Sequence, residues 1–307
     1  DESINPLAFD GIIKQIESHN NGANTFDLDG KSPTPRLLQE VLSELQSAPR
    51  FGRPDCIYVE PRIHAELIKF AVQFGRHDQM SVGRSAQGLS YGVRELEIQS
   101  PYGPVPVKSA PFLFNSYKAP SAASATNGAP SNPVLSNAVA GGSGSNFFMA
   151  DAGDYIYRVV AVNHSGFSAP VSSSAVNVTM GQEVTLTIAN QSDVVFFKIY
   201  RTEAGGAEDT ASLIGEVRAA GVGATTFVDA NQVRPNTSKI VFVQHDPDVL
   251  EFARLLDFFR RPLAEVATSK PFLLMLFGSP IVKVPNKMWV LQNAGVTETS
   301  GMLDTIA

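Results

Sequence analysis

The middle of this chain follows a different pattern from both of its ends. Residues 119–238 carry short alternating apolar and polar runs separated by turn residues, a pattern typical of strands without helices. Residues 1–118 and 239–307 mix helical and strand patterns, and neither flank reads as a complete domain. We therefore predict an α+β fold in which both flanks form one domain. An all-β sandwich is inserted into one of its surface loops, because such loops accept large insertions.

Length, charge and cysteine content exclude several classes of protein. The 307 residues suffice for about two domains, and the net charge of −6 gives no general affinity for nucleic acid. The one cysteine, Cys56, cannot form an intrachain disulfide, and its apolar neighbours predict that it is buried. No apolar run is long enough to span a bilayer and no signal peptide is visible, so no membrane partner is expected.

The first flank contains clear helix and strand signals. Thr34 followed by Pro35 predicts a helix start, with the hydroxyl as cap and proline at the first helical position. Pro61 opens a second helix directly after a short apolar run. The predicted strands are residues 55–59, 93–99 and 105–113.

The inserted segment begins with a predicted linker and continues as regularly spaced strands. Residues 119–145 are rich in Ala, Ser, Asn, Pro and Gly, and residues 141–145 read as a flexible linker. The strands predicted after it are residues 154–162, 176–178, 184–188, 194–200, 213–217 and 225–229. Their alternation predicts a sandwich core that is lined by these side chains: Tyr155, Tyr157, Val159, Ala161, Val195, Phe197 and Ile199.

The second flank is predicted to open with a strand at residues 239–243. Asp246 and Pro247 then predict a helix start. The apolar residues that follow at helical spacing are Val249, Leu250, Phe252, Ala253, Leu256 and Phe259. Residues 273–277, 281–284 and 288–291 are predicted as three closing strands.

No pattern in the sequence predicts a catalytic, cofactor-binding or metal-binding residue. The histidines lack metal-ligand spacing; they are His19, His64, His77, His164 and His245. Asp27-Leu28-Asp29-Gly30 lacks the later ligands of a calcium loop and predicts a turn. We therefore predict a protein that is not an enzyme and needs no cofactor.

Both flanks resemble the major capsid proteins of tailed bacteriophages, whose shell fold is named after phage Hong Kong ninety-seven. The segments that carry this resemblance are Phe9-Asp10-Gly11-Ile12-Ile13, Asp55-Cys56-Ile57-Tyr58-Val59-Glu60-Pro61, Gly92-Val93, Glu97-Ile98-Gln99-Ser100, Gly103, Val105-Pro106-Val107, Arg261-Pro262-Leu263-Ala264, Phe272 to Phe277, Pro285 and Leu291-Gln292-Asn293. The insert is similar to the immunoglobulin-like and fibronectin type III domains found in such capsids. That likeness is carried by residues 155–163, Gly166, Ser168 and residues 197–201.

The resemblance implies a structural subunit of an icosahedral capsid in the virion, assembled in the cytoplasm of the bacterial host. Its partners would be copies of itself in hexamers and pentamers, double-stranded DNA bound without specificity on the inner face, and decoration or portal proteins. The insert would project from the outer surface. Arg260 and Arg261 are expected either to meet that DNA or to act as a charge pair at a helix end or toward a neighbouring subunit.

One departure from the capsid pattern concerns the start of the chain. The family carries an N-terminal arm, an extended loop and a spine helix before the region of Gly11, and here only residues 1–10 precede it. We expect an upstream segment or a separate chain to supply those elements.

Other classes of protein stay open on the sequence alone. An encapsulin-like compartment protein shares the shell fold in outline. A cell-surface protein could use an immunoglobulin-like module for adhesion. An enzyme with an accessory sandwich is the third alternative.

Overall fold

The computed structural model describes residues 10–74, 96–113, 117–125, 127–189, 191–221, 223–263 and 272–296. The α-helices in these ranges are α1 (Ile12–Ser18), α2 (Pro35–Gln46) and α3 (Pro61–Phe74). The strands of the first flank are β1 (Thr25–Asp27), β2 (Cys56–Val59), β3 (Glu97–Ser100) and β4 (Gly103–Ser109).

The remaining strands fall in the middle of the chain and in the second flank. The middle segment contains β5 (Leu135–Gly141), β6 (Gly153–Tyr155), β7 (Tyr157–Val162), β8 (Val171–Ser172), β9 (Val176–Val178), β10 (Gln182–Ala189), β11 (Phe196–Arg201), β12 (Ser212–Arg218) and β13 (Ala224–Asp229). The second flank contains β14 (Ser238–Val243), β15 (Leu250–Pro262), β16 (Phe272–Val282) and β17 (Trp289–Ala294).

Strands from both flanks alternate in one sheet. Among the described strands its order is β1-β17-β14-β2-β4-β3, so β14 and β17 lie between strands of the first flank. β2 runs parallel to β4 and antiparallel to β14. The chain therefore leaves this sheet after β4 and returns as β14 at the same end, the end where β2 finishes.

Both faces of this six-stranded sheet are covered, because its central strands are apolar on both sides. Ile57, Phe242 and Leu291 pack with α2 and α3 on one face. Val241 and Val290 pack with α1 and with the base of the β15–β16 pair on the other face. The sheet is therefore the middle layer of three.

The two longer helices begin where the sequence places them. Thr34 Oγ1 accepts a hydrogen bond from the backbone N–H of Leu37 at 3.3 Å, which caps α2 as predicted. α3 starts at Pro61, and the buried carboxylate of Glu60 accepts from the N–H groups of Arg62 at 3.0 Å and Ile63 at 3.3 Å. The Glu60 cap was not predicted.

The middle segment forms two further sheets that share one apolar core. The described strands order as β13-β10-β5 in one sheet and β12-β11-β7-β8 in the other. Their common cluster includes Tyr157, Phe197, Ile199, Val184 and Leu186, each fully buried. The predicted inward faces of residues 154–162 and 194–200 are confirmed, apart from Val195, which is only partly buried.

The prediction of a linker over residues 119–145 was wrong. Residues 135–141 form β5, which pairs along its whole length with β10. Ser145 Oγ donates to the carbonyl of Gln182 at 2.6 Å, so the glycine-rich stretch is also tied to the sandwich. The pairing starts before residue 119, since the N–H of Leu213 donates to the carbonyl of Tyr117 at 2.9 Å. Strand β5 was missed because its Ser, Asn and Ala residues weaken the alternating apolar signal of a strand.

The helix predicted after Asp246 was also wrong. The N–H groups of Val249 and Leu250 both donate to the carbonyl of Asp246 at 2.8 Å, and the chain then continues as β15 rather than as a helix. β15 pairs antiparallel with β16, which merges the closing strands predicted at residues 273–277 and 281–284. Arg260 and Arg261 therefore lie on a strand and not at a helix end.

Candidate assembly surface

The β15–β16 hairpin exposes more large apolar side chains than any other element described. Leu255 is 83% exposed and Phe258 is 63% exposed. The other large apolar residues exposed on these strands and beside β15 are Phe252, Leu256, Phe259, Leu263, Phe272, Leu273, Leu274, Leu276, Phe277 and Ile281. Exposed apolar surface of this extent is typical of an interaction site.

The hairpin is apolar on both of its faces. Phe259 stacks on Phe277 with ring centroids 6.4 Å apart, so these two residues share one face. Leu274 lies opposite Arg260 and Phe272 opposite Pro262, and these positions belong to the other face because side chains alternate along a strand. A strand pair with apolar residues on both faces suits a position between two covering layers.

Only the base of the hairpin is anchored in the described residues. Val282 is buried beside α1, and its N–H donates to Gln15 Oε1 at 2.8 Å. Gln15 Nε2 donates to the carbonyl of Pro280 at 2.9 Å. Farther out, the Arg260 guanidinium lies 4.0 Å from the centroid of the Phe272 ring, where it covers part of one face.

Polar contacts join the sandwich to the six-stranded sheet where the chain returns to β14. Asn293, in β17, accepts from the N–H of Arg234 at 3.0 Å and donates to the carbonyl of Gln232 at 2.9 Å. The Arg234 side chain pairs with Asp151 of the middle segment and with Asp29 of the first flank. These contacts hold the sandwich at one end of the sheet.

A buried charge pair lies inside the sandwich. Arg201 is 1% exposed, and its Nη1 donates to Asp229 Oδ2 at 2.5 Å. Tyr157 Oη donates to the same oxygen at 2.7 Å, and Arg201 Nη2 donates to Asn231 Oδ1 at 2.6 Å. Each of these side chains has a charged or polar partner, and of their nitrogen and oxygen atoms Arg201 Nε is buried without one in the described residues, so the arrangement serves the packing of the sandwich.

The residues considered for metal or nucleophilic chemistry do not come together. Among the described residues, no three His, Cys, Asp or Glu side chains are grouped so that they could hold a metal ion. His77 lies outside the described residues, and Asp27 forms a turn by accepting from the N–H of Asp29 at 2.8 Å. Cys56 is 1% exposed, and burial raises the pKa of its thiol, which keeps it protonated.

None of the helices in the described part of the chain has the length and apolarity that crossing a bilayer requires.

Comparison with known proteins finds relatives along almost the whole chain. No protein-family model matches the sequence. A protein named putative major capsid protein, from Enterococcus phage phiEF24C, is 25% identical over 306 residues, which is 97% of this chain and 64% of that protein. The major capsid proteins of Staphylococcus phages S25-3 and K are each 23% identical over 297 residues, which is 94% of this chain and 62% of theirs. The chain thus spans just under two thirds of the length of these relatives.

Proposed function

We propose that this chain is a structural subunit of a bacteriophage capsid, with no enzymatic activity, and that it resides in the virion. The observation that carries the proposal is the similarity to phage major capsid proteins over 94–97% of the chain. The apolar hairpin supports it, because a subunit that assembles has surface to bury that a single chain leaves exposed.

The shell domain of this proposal consists of residues 1–118 and 239–307 and has the Hong Kong ninety-seven type of fold. Its support is the shared sheet, in which β14 and β17 of the second flank pair with β1 and β2 of the first. The insert is an immunoglobulin-like or fibronectin type III-like sandwich. Because the N–H of Leu213 donates to the carbonyl of Tyr117, we place the start of the insert at residue 117 instead of 119, which shortens the first shell segment from 1–118 to 1–116.

The insert projects from the outer surface of the capsid in this proposal. The support is geometric. The chain leaves the sheet after β4 and returns as β14 at the same end, so the sandwich extends beyond one end of the sheet instead of covering a face. A module placed there can stand away from a continuous wall of sheets and helices.

The hairpin is the surface that the N-terminal arm, the extended loop and the spine helix would cover. In this proposal those elements cover part of the hairpin, and neighbouring subunits in hexamers and pentamers cover what remains. The support is the pair of apolar faces of β15 and β16, which require a layer on each side.

The remaining proposed partners are the packaged DNA and the other proteins of the particle. Double-stranded DNA meets the inner face through its phosphates without sequence preference, and the net charge of −6 keeps that contact weak. Decoration and portal proteins complete the particle.

The experiment that tests this function is purification of the product of the encoding gene from cells that express it, followed by negative-stain electron microscopy. Closed icosahedral particles that protect DNA from nuclease are the expected result when the phage genome is present. Particles that instead enclose a cargo enzyme and no viral DNA would favour a compartment protein. A product that stays monomeric at every concentration would contradict a shell function.

A further inference from the structure

Strand β5 forms an edge of the sandwich that carries none of the usual protection. In the described strands it pairs only with β10, and its other edge is open. Exposed edges are normally shielded by charged residues, proline or a very short strand. β5 has seven residues and neither proline nor charge, and no charged residue occurs between Lys118 and Asp151.

The register shows which backbone groups of β5 are free. The N–H of Ala189 donates to the carbonyl of Val134 at 2.9 Å, and the N–H of Gly142 donates to the carbonyl of Gly181 at 3.1 Å. In an antiparallel pair, hydrogen-bonded residues alternate along the strand, so even-numbered residues face β10. The N–H and C=O groups that point to the open edge belong to Leu135, Asn137, Val139 and Gly141.

We propose that β5 pairs antiparallel with β5 of a second copy of this chain, about a two-fold axis through Ala138. This register sets Leu135 opposite Gly141 and Asn137 opposite Val139. Every free group on both strands then gains a partner, in about eight hydrogen bonds. The two three-stranded sheets become one sheet of six strands.

The side chains favour a second copy over an unrelated strand. A two-fold axis places identical residues together, which charged strands resist and this uncharged strand does not. The residues that meet at the axis are two Ala138 methyl groups. Gly141 leaves room for the side chain of Leu135 opposite it. Val139 is 37% exposed at the rim of the core, and the second copy would bury part of its side chain. The inference goes beyond the capsid proposal and does not depend on it.

A cysteine at the axis tests both the pairing and its register. In Ala138→Cys the two thiols would lie opposite each other in a non-hydrogen-bonded pair, with Cβ atoms about 4.5–5.5 Å apart, close enough for a disulfide after small shifts. We expect a disulfide-linked dimer on non-reducing gels after mild oxidation. The native Cys56 is buried and should not contribute.

Matched cysteines make the result specific. In the proposed register residue 140 faces residue 136, so Ala140→Cys alone should stay monomeric, whereas Ala140→Cys with Ser136→Cys should cross-link. Thr226→Cys lies on the exposed surface of β13, the other edge strand of the same sheet, and reports random collision. Cross-linking of Thr226→Cys as strong as that of Ala138→Cys, or no dimer from Ala138→Cys, would overturn the proposal. Failure of Ala138→Cys to form a dimer is also the result expected if another protein occupies this edge.

A charge at the axis provides a second measurement. Ala138→Lys sets two ammonium groups opposite each other, and Thr226→Lys adds the same charge away from the axis. In sedimentation velocity the wild type and Thr226→Lys should show a dimer that grows with concentration, and Ala138→Lys should lose it. Equal sedimentation of Ala138→Lys and Thr226→Lys would count against the pairing.

Discussion

Arg201 shows how far alternation in the sequence determines the position of a single residue. Phe197, Ile199 and Arg201 are spaced by two along β11, so all three point into the sandwich. Burial alone would lower the pKa of Arg201, whereas the adjacent Asp229 raises it, and the balance lies above the ordinary value. The inward position could be inferred from alternation, but the partner could not, because Asp229 ends a distant strand.

Removing one member of this buried pair should be costly. Arg201→Met should lower the free energy of unfolding by about 3–5 kcal/mol, because it leaves the Asp229 carboxylate buried without its cation. The double variant Arg201→Met with Asp229→Leu should recover part of that loss. Urea denaturation of both variants measures the difference. A double variant that is less stable than the single one would contradict the explanation.

Tyr200 provides a test of how the free energy of unfolding depends on pH. Its burial, with a smaller effect from Glu216, raises the pKa of its hydroxyl to about 12. A raised pKa contributes stability that is complete below the unfolded pKa and is lost as pH rises through the folded one, so the loss falls between about pH 10 and 12.

The Tyr200 contribution can be isolated by removing its hydroxyl. The free energy of unfolding should fall by roughly 2 kcal/mol more in the wild type than in Tyr200→Phe between pH 9 and pH 12. Chemical denaturation at fixed pH values measures this, and Tyr102→Phe is the exposed control. Identical pH profiles for the wild type and Tyr200→Phe would rule out this hydroxyl as a source of alkaline instability.

The elements that sequence reasoning predicted correctly carry a clear local signal. α2 has a cap and a single apolar stripe, and β2 and β14 are short apolar runs bounded by turns. β15 differs because apolar pairs such as Leu255-Leu256 and Phe258-Phe259 supply both of its faces, and such a run fits helical spacing equally well. The segment becomes a strand because it pairs with β16, which lies beyond residues 264–271. Such pairing leaves no signal in the local sequence.

The exposed outer part of the hairpin, beyond the buried base at Val249 and Val282, should be dispensable for the fold of one chain and essential for its assembly. Leu256→Asp and Phe259→Asp change exposed positions, so each should alter the free energy of unfolding by only about 0.5 kcal/mol. The same variants should abolish particles, because a charge would enter a buried layer. Circular dichroism melting and the pelletable fraction measure the two effects.

A charge change without loss of apolar surface is the control for these variants. Asp257→Asn alters an exposed position of the same strand, so particle formation should persist. A large fall in the melting temperature of the Leu256→Asp monomer would show that the hairpin belongs to the core of the single chain.

For the whole molecule, the sequence predicted that an all-β segment separates two mixed flanks. The structure shows that strands from both flanks pair in one six-stranded sheet. The interleaving of β14 and β17 with the first flank follows from long-range pairing and could not be read from local pattern. The junction of Asn293, Arg234 and Asp29 was also missed, because it joins three segments far apart in sequence.

The sandwich and the six-stranded sheet have separate apolar clusters and meet through polar contacts. Phe197→Ala or Ile199→Ala should therefore destabilise the sandwich alone, by about 2–5 kcal/mol. Calorimetry should show one transition lowered and a second unmoved, with Phe242→Ala producing the reverse. One shared transition that falls in every variant would show that the two clusters unfold as a unit.

We propose that this chain forms the wall of a phage capsid and buries its hairpin there. Cryo-electron microscopy of particles purified from infected cells tests it most directly. We expect the six-stranded sheet in the wall, the sandwich on the outside, and density from other segments or subunits against both faces of β15 and β16. Particles in which the hairpin faces solvent, or in which this chain is absent from the wall, would contradict it.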